Sequence, residues 1–122
     1  MLEPEKELSV MRLLVGGKDF IASEEAELVP DGFRLKQGYP NPFSNHTTIE
    51  YALPDPDFVQ LEVYNVLGQR VKTLVNQDQI AGFHQVVWDG TSDAGEPVAS
   101  GMYLYVFRSS THQATERLVR VQ

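Results

Sequence analysis

Thr48-Ile49-Glu50-Tyr51-Ala52-Leu53-Pro54 decides the fold. Ile49, Tyr51 and Leu53 fall on one side of an extended chain, and Thr48, Glu50 and Ala52 fall on the other. That period of two marks a half-buried strand. The same rhythm continues downstream, where Val59, Leu61 and Val63 alternate with Gln60, Glu62 and Tyr64, and Val71, Thr73 and Val75 alternate with Arg70 and Lys72. Phe83 to Trp88 and Met102 to Phe107 are denser in apolar residues and read as more central strands; Thr115 to Val121 is the last. Between them lie Pro54-Asp55-Pro56-Asp57, Gly68, Ala81-Gly82, the Asp89-Gly90 to Gly95 loop and Ala99-Ser100-Gly101, all turn formers with a fixed or a tolerated positive φ. Short strands punctuated every ~8 to 16 residues predict an antiparallel sandwich or barrel.

Working outward, residues 1–31 read as separate from residues 32–122. Val10 to Val15 and Asp19 to Ala22 flank Gly16-Gly17, a pair suited to a tight hairpin, and an acidic stretch then runs to Pro30-Asp31-Gly32, which reads as a linker. Glu24 to Glu27 allows one helical turn before Pro30 stops it. The hairpin either adds edge strands to the sandwich or ends an upstream domain, and in both cases Leu13, Leu14, Phe20 and Ile21 need a covering surface.

The 122 residues suit one domain with a real core, and no apolar run approaches the ~18 residues of a spanning helix. Ten bases against seventeen acids give a net charge of −7, a sign that repels phosphate backbones and argues against nucleic acid as a partner. Residues 1–31 hold eight acids and three bases, so most of the excess lies there. The chain has no cysteine and so no disulfide or thiolate metal site. Its acidic amino terminus differs from a secretory signal, so export requires a signal on another part of the precursor.

No constellation points to catalysis. Ser100 lies in Ala99-Ser100-Gly101-Met102 without the strand-turn-helix context of a nucleophile elbow, and His46, His84 and His112 are far apart. Asp89, Asp93 and Glu96 share one glycine-rich loop, and Asp55 and Asp57 flank a proline, yet neither has the spacing of a calcium loop. An aspartate there more simply accepts backbone N–H groups. No cofactor is expected. Asn45-His46-Thr47 fits the glycosylation pattern, a match short enough to arise by chance. Tyr103, Tyr105 and Phe107 share one face of a strand whose other face carries Met102, Leu104 and Val106. The strand is either covered on both faces or presents an aromatic strip to a protein or sugar partner.

From Leu35 onward, several blocks occur in a fixed order: Leu35-Lys36-Gln37-Gly38-Tyr39-Pro40-Asn41-Pro42-Phe43, Thr48 to Pro54, Val63-Tyr64-Asn65-Val66-Leu67-Gly68-Gln69-Arg70-Val71, Ala81-Gly82-Phe83-His84, Val87-Trp88-Asp89-Gly90, and Val98-Ala99-Ser100-Gly101-Met102-Tyr103-Leu104-Tyr105. In these the chain resembles the type IX secretion system (Por) carboxyl-terminal sorting domain. The second half is also similar to the immunoglobulin-like domain of flagellar hook-capping proteins. The resemblance implies an immunoglobulin-like antiparallel β-sandwich of about seven strands, with the hairpin of residues 1–31 as an addition. It also departs from the pattern, with Ser44-Asn45-His46 where Asn-Pro-Ser is usual and Arg117 where lysine is common.

Pro40, Asn41, Pro42, Gly68, Gly82, Trp88, Asp89, Gly90, Gly101 and Tyr103 carry the resemblance, and each has a physical reason to be structural. The prolines stiffen the approach to the first strand, the glycines release the backbone, and Trp88 is the largest core candidate. What the resemblance implies about function is a non-enzymatic module, carried at the end of exported cargo, that routes it across the outer membrane to the surface or medium. Its partners would be the type IX translocon and the upstream cargo domain. Arg117, Leu118, Val119, Arg120 and Val121 form the expected sorting tail, an exposed edge strand open to main-chain pairing. A carbohydrate- or protein-binding module, or a spacer in a surface or flagellar assembly, is the alternative.

Overall fold

The computed structural model describes residues 30–122; the expected hairpin and its apolar residues lie outside them. Seven strands follow in order: β1 (Arg34–Leu35), β2 (Thr47–Leu53), β3 (Asp57–Asn65), β4 (Arg70–Gln79), β5 (Gly82–Trp88), β6 (Gly101–Arg108) and β7 (Gln113–Arg120). They form two antiparallel sheets, β1-β2-β5 and β4-β3-β6-β7, and so an immunoglobulin-like sandwich.

The alternation read in the sequence sets the register. Ile49, Tyr51 and Leu53 of β2, Val59, Leu61 and Val63 of β3, and Tyr103, Tyr105 and Phe107 of β6 all turn inward and are buried, with Phe43, Trp88 and Leu118 between the sheets. Full burial of each such side chain stabilises the fold by roughly 1.5–3 kcal/mol, and the aromatic contacts add specificity. Trp88 lies between Phe43, at 5.4 Å between ring centroids, and the edge of Tyr103, at 5.5 Å. Its indole N–H donates to the Thr91 carbonyl at 2.9 Å, so the largest core side chain leaves no polar atom unpaired.

Three expectations need correction. Among the described residues Phe83 to Trp88 is an edge strand, not a central one: β5 pairs there only with β2, and its apolar density reflects Phe83 and Val87 pointing to solvent. The strict alternation of Val71, Thr73 and Val75 is broken, because the β3–β4 register shifts twice and leaves Val71 and Leu74 as extra residues packed against the core. The aromatic strip of β6 points into the core, so it offers no surface to a sugar or protein. The two-residue β1 has no periodic signal of its own and forms where Arg34 and Leu35 run opposite Ala52 and Tyr51.

Candidate functional site

The last strand and the segment before β2 are built as one unit. After β1 the chain runs along β2, where Tyr39 exchanges two backbone hydrogen bonds with Thr48, at 3.0 and 2.8 Å. It then crosses to the outer edge of β7 on the opposite sheet. There the Phe43 N–H donates to the Val119 carbonyl at 2.9 Å, and the Val121 N–H donates to the Phe43 carbonyl at 2.8 Å, a parallel bridge. Asn41 extends the pairing by two residues: its Oδ1 accepts the Val119 N–H at 2.9 Å and its Nδ2 donates to the Arg117 carbonyl at 3.4 Å, so its amide stands in for a peptide unit. Gln37 Nε2 donates to the same carbonyl. Gln37–Phe43 is thus a strap across the side of the sandwich.

Three features hold the strap down. The Thr47 hydroxyl donates to the Pro40 carbonyl at 2.9 Å. The Tyr105 hydroxyl reaches out of the core to accept the Gly38 N–H at 2.8 Å and to donate to the Lys36 carbonyl. Gly38 itself passes so close to the core that a Cβ there would lie 2.8 Å from Leu118 Cδ2 and 3.0 Å from Thr47 Oγ1. Burial holds the Tyr105 phenol well above its ordinary range.

The expected tail is therefore not an open edge. Leu118 is core, and Arg117, Val119 and Val121 have outward backbone groups already bonded to the strap. Because outward-facing groups alternate along an antiparallel strand, what stays open on β7 is its first half, at Gln113 and Thr115. Arg120 is structural: its guanidinium donates to the Ser44 carbonyl at 3.3 Å and to the Val98 carbonyl. It lies over Gly90, where a Cβ would meet its Nε at 2.8 Å. The Trp-Asp-Gly loop and the tail are thus one constellation, completed by the Val98 N–H donating to the Gly90 carbonyl at 2.9 Å. Arg117 is exposed and pairs with no carboxylate among the described residues.

The other motif residues are local. Asp89 closes its turn by accepting the Thr91 hydroxyl at 2.6 Å and the Thr91 N–H at 3.1 Å, and the hydroxyl chiefly holds its carboxyl below the usual range. Tyr103 donates to the Ala99 carbonyl at 2.6 Å, four residues upstream, the corner bond typical of such sandwiches. Gly68 ends a turn whose Asn65 side chain accepts the Leu67 and Gln69 N–H groups, both at 3.0 Å. Gly82 and Gly101 open β5 and β6 with positive φ. Asp93 accepts the Thr73 N–H at 3.0 Å and lies 4.0 Å from Arg70, while Asp57 accepts from Ser110 at 2.8 Å, so both carboxylates are spent on pinning loops. Among the described residues, no three His, Asp or Glu side chains converge as metal ligands would. Sequence reasoning missed Gln37, Gly38 and Ser44 as partners of the tail, since each acts through a contact at least 75 residues away along the chain or through a close approach.

The sandwich and its strapped last strand place the protein among immunoglobulin-like modules. The chain belongs to the FlgD Ig-like domain family, whose sequence profile matches residues 44–113. The matched segment starts after the strap and ends at Gln113, the first residue of β7. No curated protein matches the chain. Among solved structures, PorU from Porphyromonas gingivalis is 23% identical with a TM-score of 0.57, over 75% of this chain and 10% of that one. FlgD from P. aeruginosa is 22% identical with a TM-score of 0.51, over 72% of each chain. PorZ, an essential surface component of the type-IX secretion system of Porphyromonas gingivalis, is 21% identical with a TM-score of 0.49, over 75% of this chain and 12% of that one. The chain thus spans 12% and 10% of the length of PorZ and PorU; the likeness to PorU and to FlgD from P. aeruginosa shows the fold alone.

Proposed function

We propose that residues 32–122 are a non-catalytic sorting module, carried by an exported cargo protein and read by type IX translocon components at the outer membrane on the way to the cell surface. The observation that carries this reading is the strap. Tyr39-Pro40-Asn41-Pro42-Phe43, the block most particular to the sorting-domain resemblance, is the segment that fixes the last strand in place. The recognised feature is then a composite face of strap and β7, in which Arg117 and Thr115 are exposed and carry no core duty.

Deleting β7 removes Leu118 from the core, so surface substitutions give the cleaner test. A reporter with an upstream Sec signal, fused to residues 32–122 in a type IX-competent host, is expected in the medium or at the surface. Thr115→Glu with Arg117→Glu is expected to bring export down to that of the reporter alone, with the purified module still folded. Export that survives both changes excludes the composite face as the signal.

Membership of the FlgD Ig-like family favours a second reading, a structural spacer in a surface or flagellar assembly. In that case the fused module folds but does not change where the reporter goes.

A further inference from the structure

Each sheet of a sandwich ends in edge strands, and an edge left bare is a template for another chain. Three of the four edges here carry a protective device. β1 is two residues long and leads into the strap. The strap covers the second half of β7, and Glu116 and Arg117 lie next to the rest. β4 carries Arg70, Lys72 and Asp78 and is twisted by two register shifts. β5 has none of these. Its seven residues, Gly82-Phe83-His84-Gln85-Val86-Val87-Trp88, contain no carboxylate, lysine, arginine or proline, and their register with β2 is unbroken. Among the described residues no strand pairs with its other side. Phe83 and Val87 stand 58% and 52% exposed on its solvent face, with Gln85 exposed between them.

That pattern is self-complementary. If a second β5 runs antiparallel about a two-fold axis through Gln85, Phe83 faces Val87 of the other copy, and Val87 faces its Phe83. Directly opposed aromatic and β-branched side chains are a favourable cross-strand pair. His84 likewise opposes Val86, and because the strand carries no carboxylate, lysine or arginine, no such like charges meet across the pair. We propose that the β5 edge is a homodimer interface, in which two copies join their three-stranded sheets into one six-stranded sheet, β1-β2-β5-β5-β2-β1. Two seven-residue strands make a small contact, so the dimer is weak and concentration-dependent.

The absence of cysteine from the chain makes the register directly testable. In the full 122-residue chain, Gln85→Cys places two thiols opposite each other, with Cβ atoms about 5 Å apart, near the reach of a disulfide. Under mild oxidation this variant is expected to form a covalent dimer. Gln77→Cys, on the β4 edge, is expected to stay monomeric, and Phe83→Cys mixed with Val87→Cys is expected to cross-link in the mixture. By sedimentation equilibrium the unmodified chain is expected to dimerise as concentration rises, and Gln85→Lys, which sets two ammonium groups face to face, is expected to stay monomeric while keeping its Trp88 fluorescence. A chain that is monomeric up to about 1 mM overturns the proposal, as does a dimer that tolerates Gln85→Lys or cross-links through Gln77→Cys instead. Export of the fused reporter is unaffected by Gln85→Lys under this proposal, so the two readings fail separately.

Discussion

Gly68 and Gly90 have nearly the same backbone, with φ of +82° and +76°, yet only one has a neighbour. A Cβ at Gly68 meets nothing within 4 Å, whereas at Gly90 it displaces the Arg120 guanidinium and the bonds that hold the Ser44 and Val98 carbonyls. Gly68→Ala is therefore expected to cost about 1–2 kcal/mol, the conformational strain alone. Gly90→Ala is expected to cost roughly 1–3 kcal/mol more, since a charged hydrogen-bond donor loses its partners. Urea denaturation followed by Trp88 fluorescence measures both, and equal losses would mean that Arg120 repacks freely. The sequence showed that both glycines sit in turns. It could not show the arginine 30 residues downstream of one of them, because that contact is made only when β7 closes the sheet.

The strap and β7 are best probed by amide exchange. The Val119 and Val121 N–H groups face the outer edge yet are bonded to Asn41 and Phe43, so both are expected to be protected, while those of Gln113 and Thr115 exchange quickly. Asn41→Ala removes the acceptor for Val119 but not that for Val121. It is expected to speed exchange at Val119 selectively and to cost about 1 kcal/mol, because water replaces an exposed partner. Uniform exchange along the edge would mean that the strap is not seated. At this scale the sequence was legible where one rule acts alone. β2 and β3 followed from alternation, because their inward and outward residues differ in kind, and β6 followed from its apolar density. β5 was misplaced because Phe83 and Val87 are apolar but exposed, a pattern that density cannot separate from a doubly covered strand. The strap read as a stiff linker, since Pro40 and Pro42 announce rigidity without announcing what the rigid piece lies against.

For the whole molecule, acid and base act through different residues. Asp57 ties the start of β3 to the β6–β7 turn, and the Ser110 hydroxyl chiefly holds its carboxyl below the ordinary range; Thr91 does the same for Asp89. A lowered carboxyl favours the folded state above its unfolded value near 4, and that gain is lost as pH falls through the folded value. The domain is expected to lose stability below about pH 4, and Asp57→Asn with Asp89→Asn to flatten that loss in acid unfolding curves. At the alkaline end, burial pushes the Tyr51 phenol up to about 12 from 10.0 and raises Tyr105 as well. A raised phenol gives its full contribution below pH 10 and loses it as pH climbs through the folded value. Phenolate absorbance of the five tyrosines is therefore expected to rise in stages, the last coinciding with loss of the Trp88 signal. A single step near pH 10 with the fold intact would contradict the burial of Tyr51 and Tyr105.

The strap also decides how the domain meets a pull. It runs parallel to β7, and the chain leaves the pair upstream through the strap and downstream through the strand. A force drawn between those two exits slides one segment along the other, so the hydrogen bonds at Arg117, Val119 and Val121 are loaded together rather than unzipped one by one. A tether fastened on both sides of this domain thus bears tension across a set of bonds that resist together.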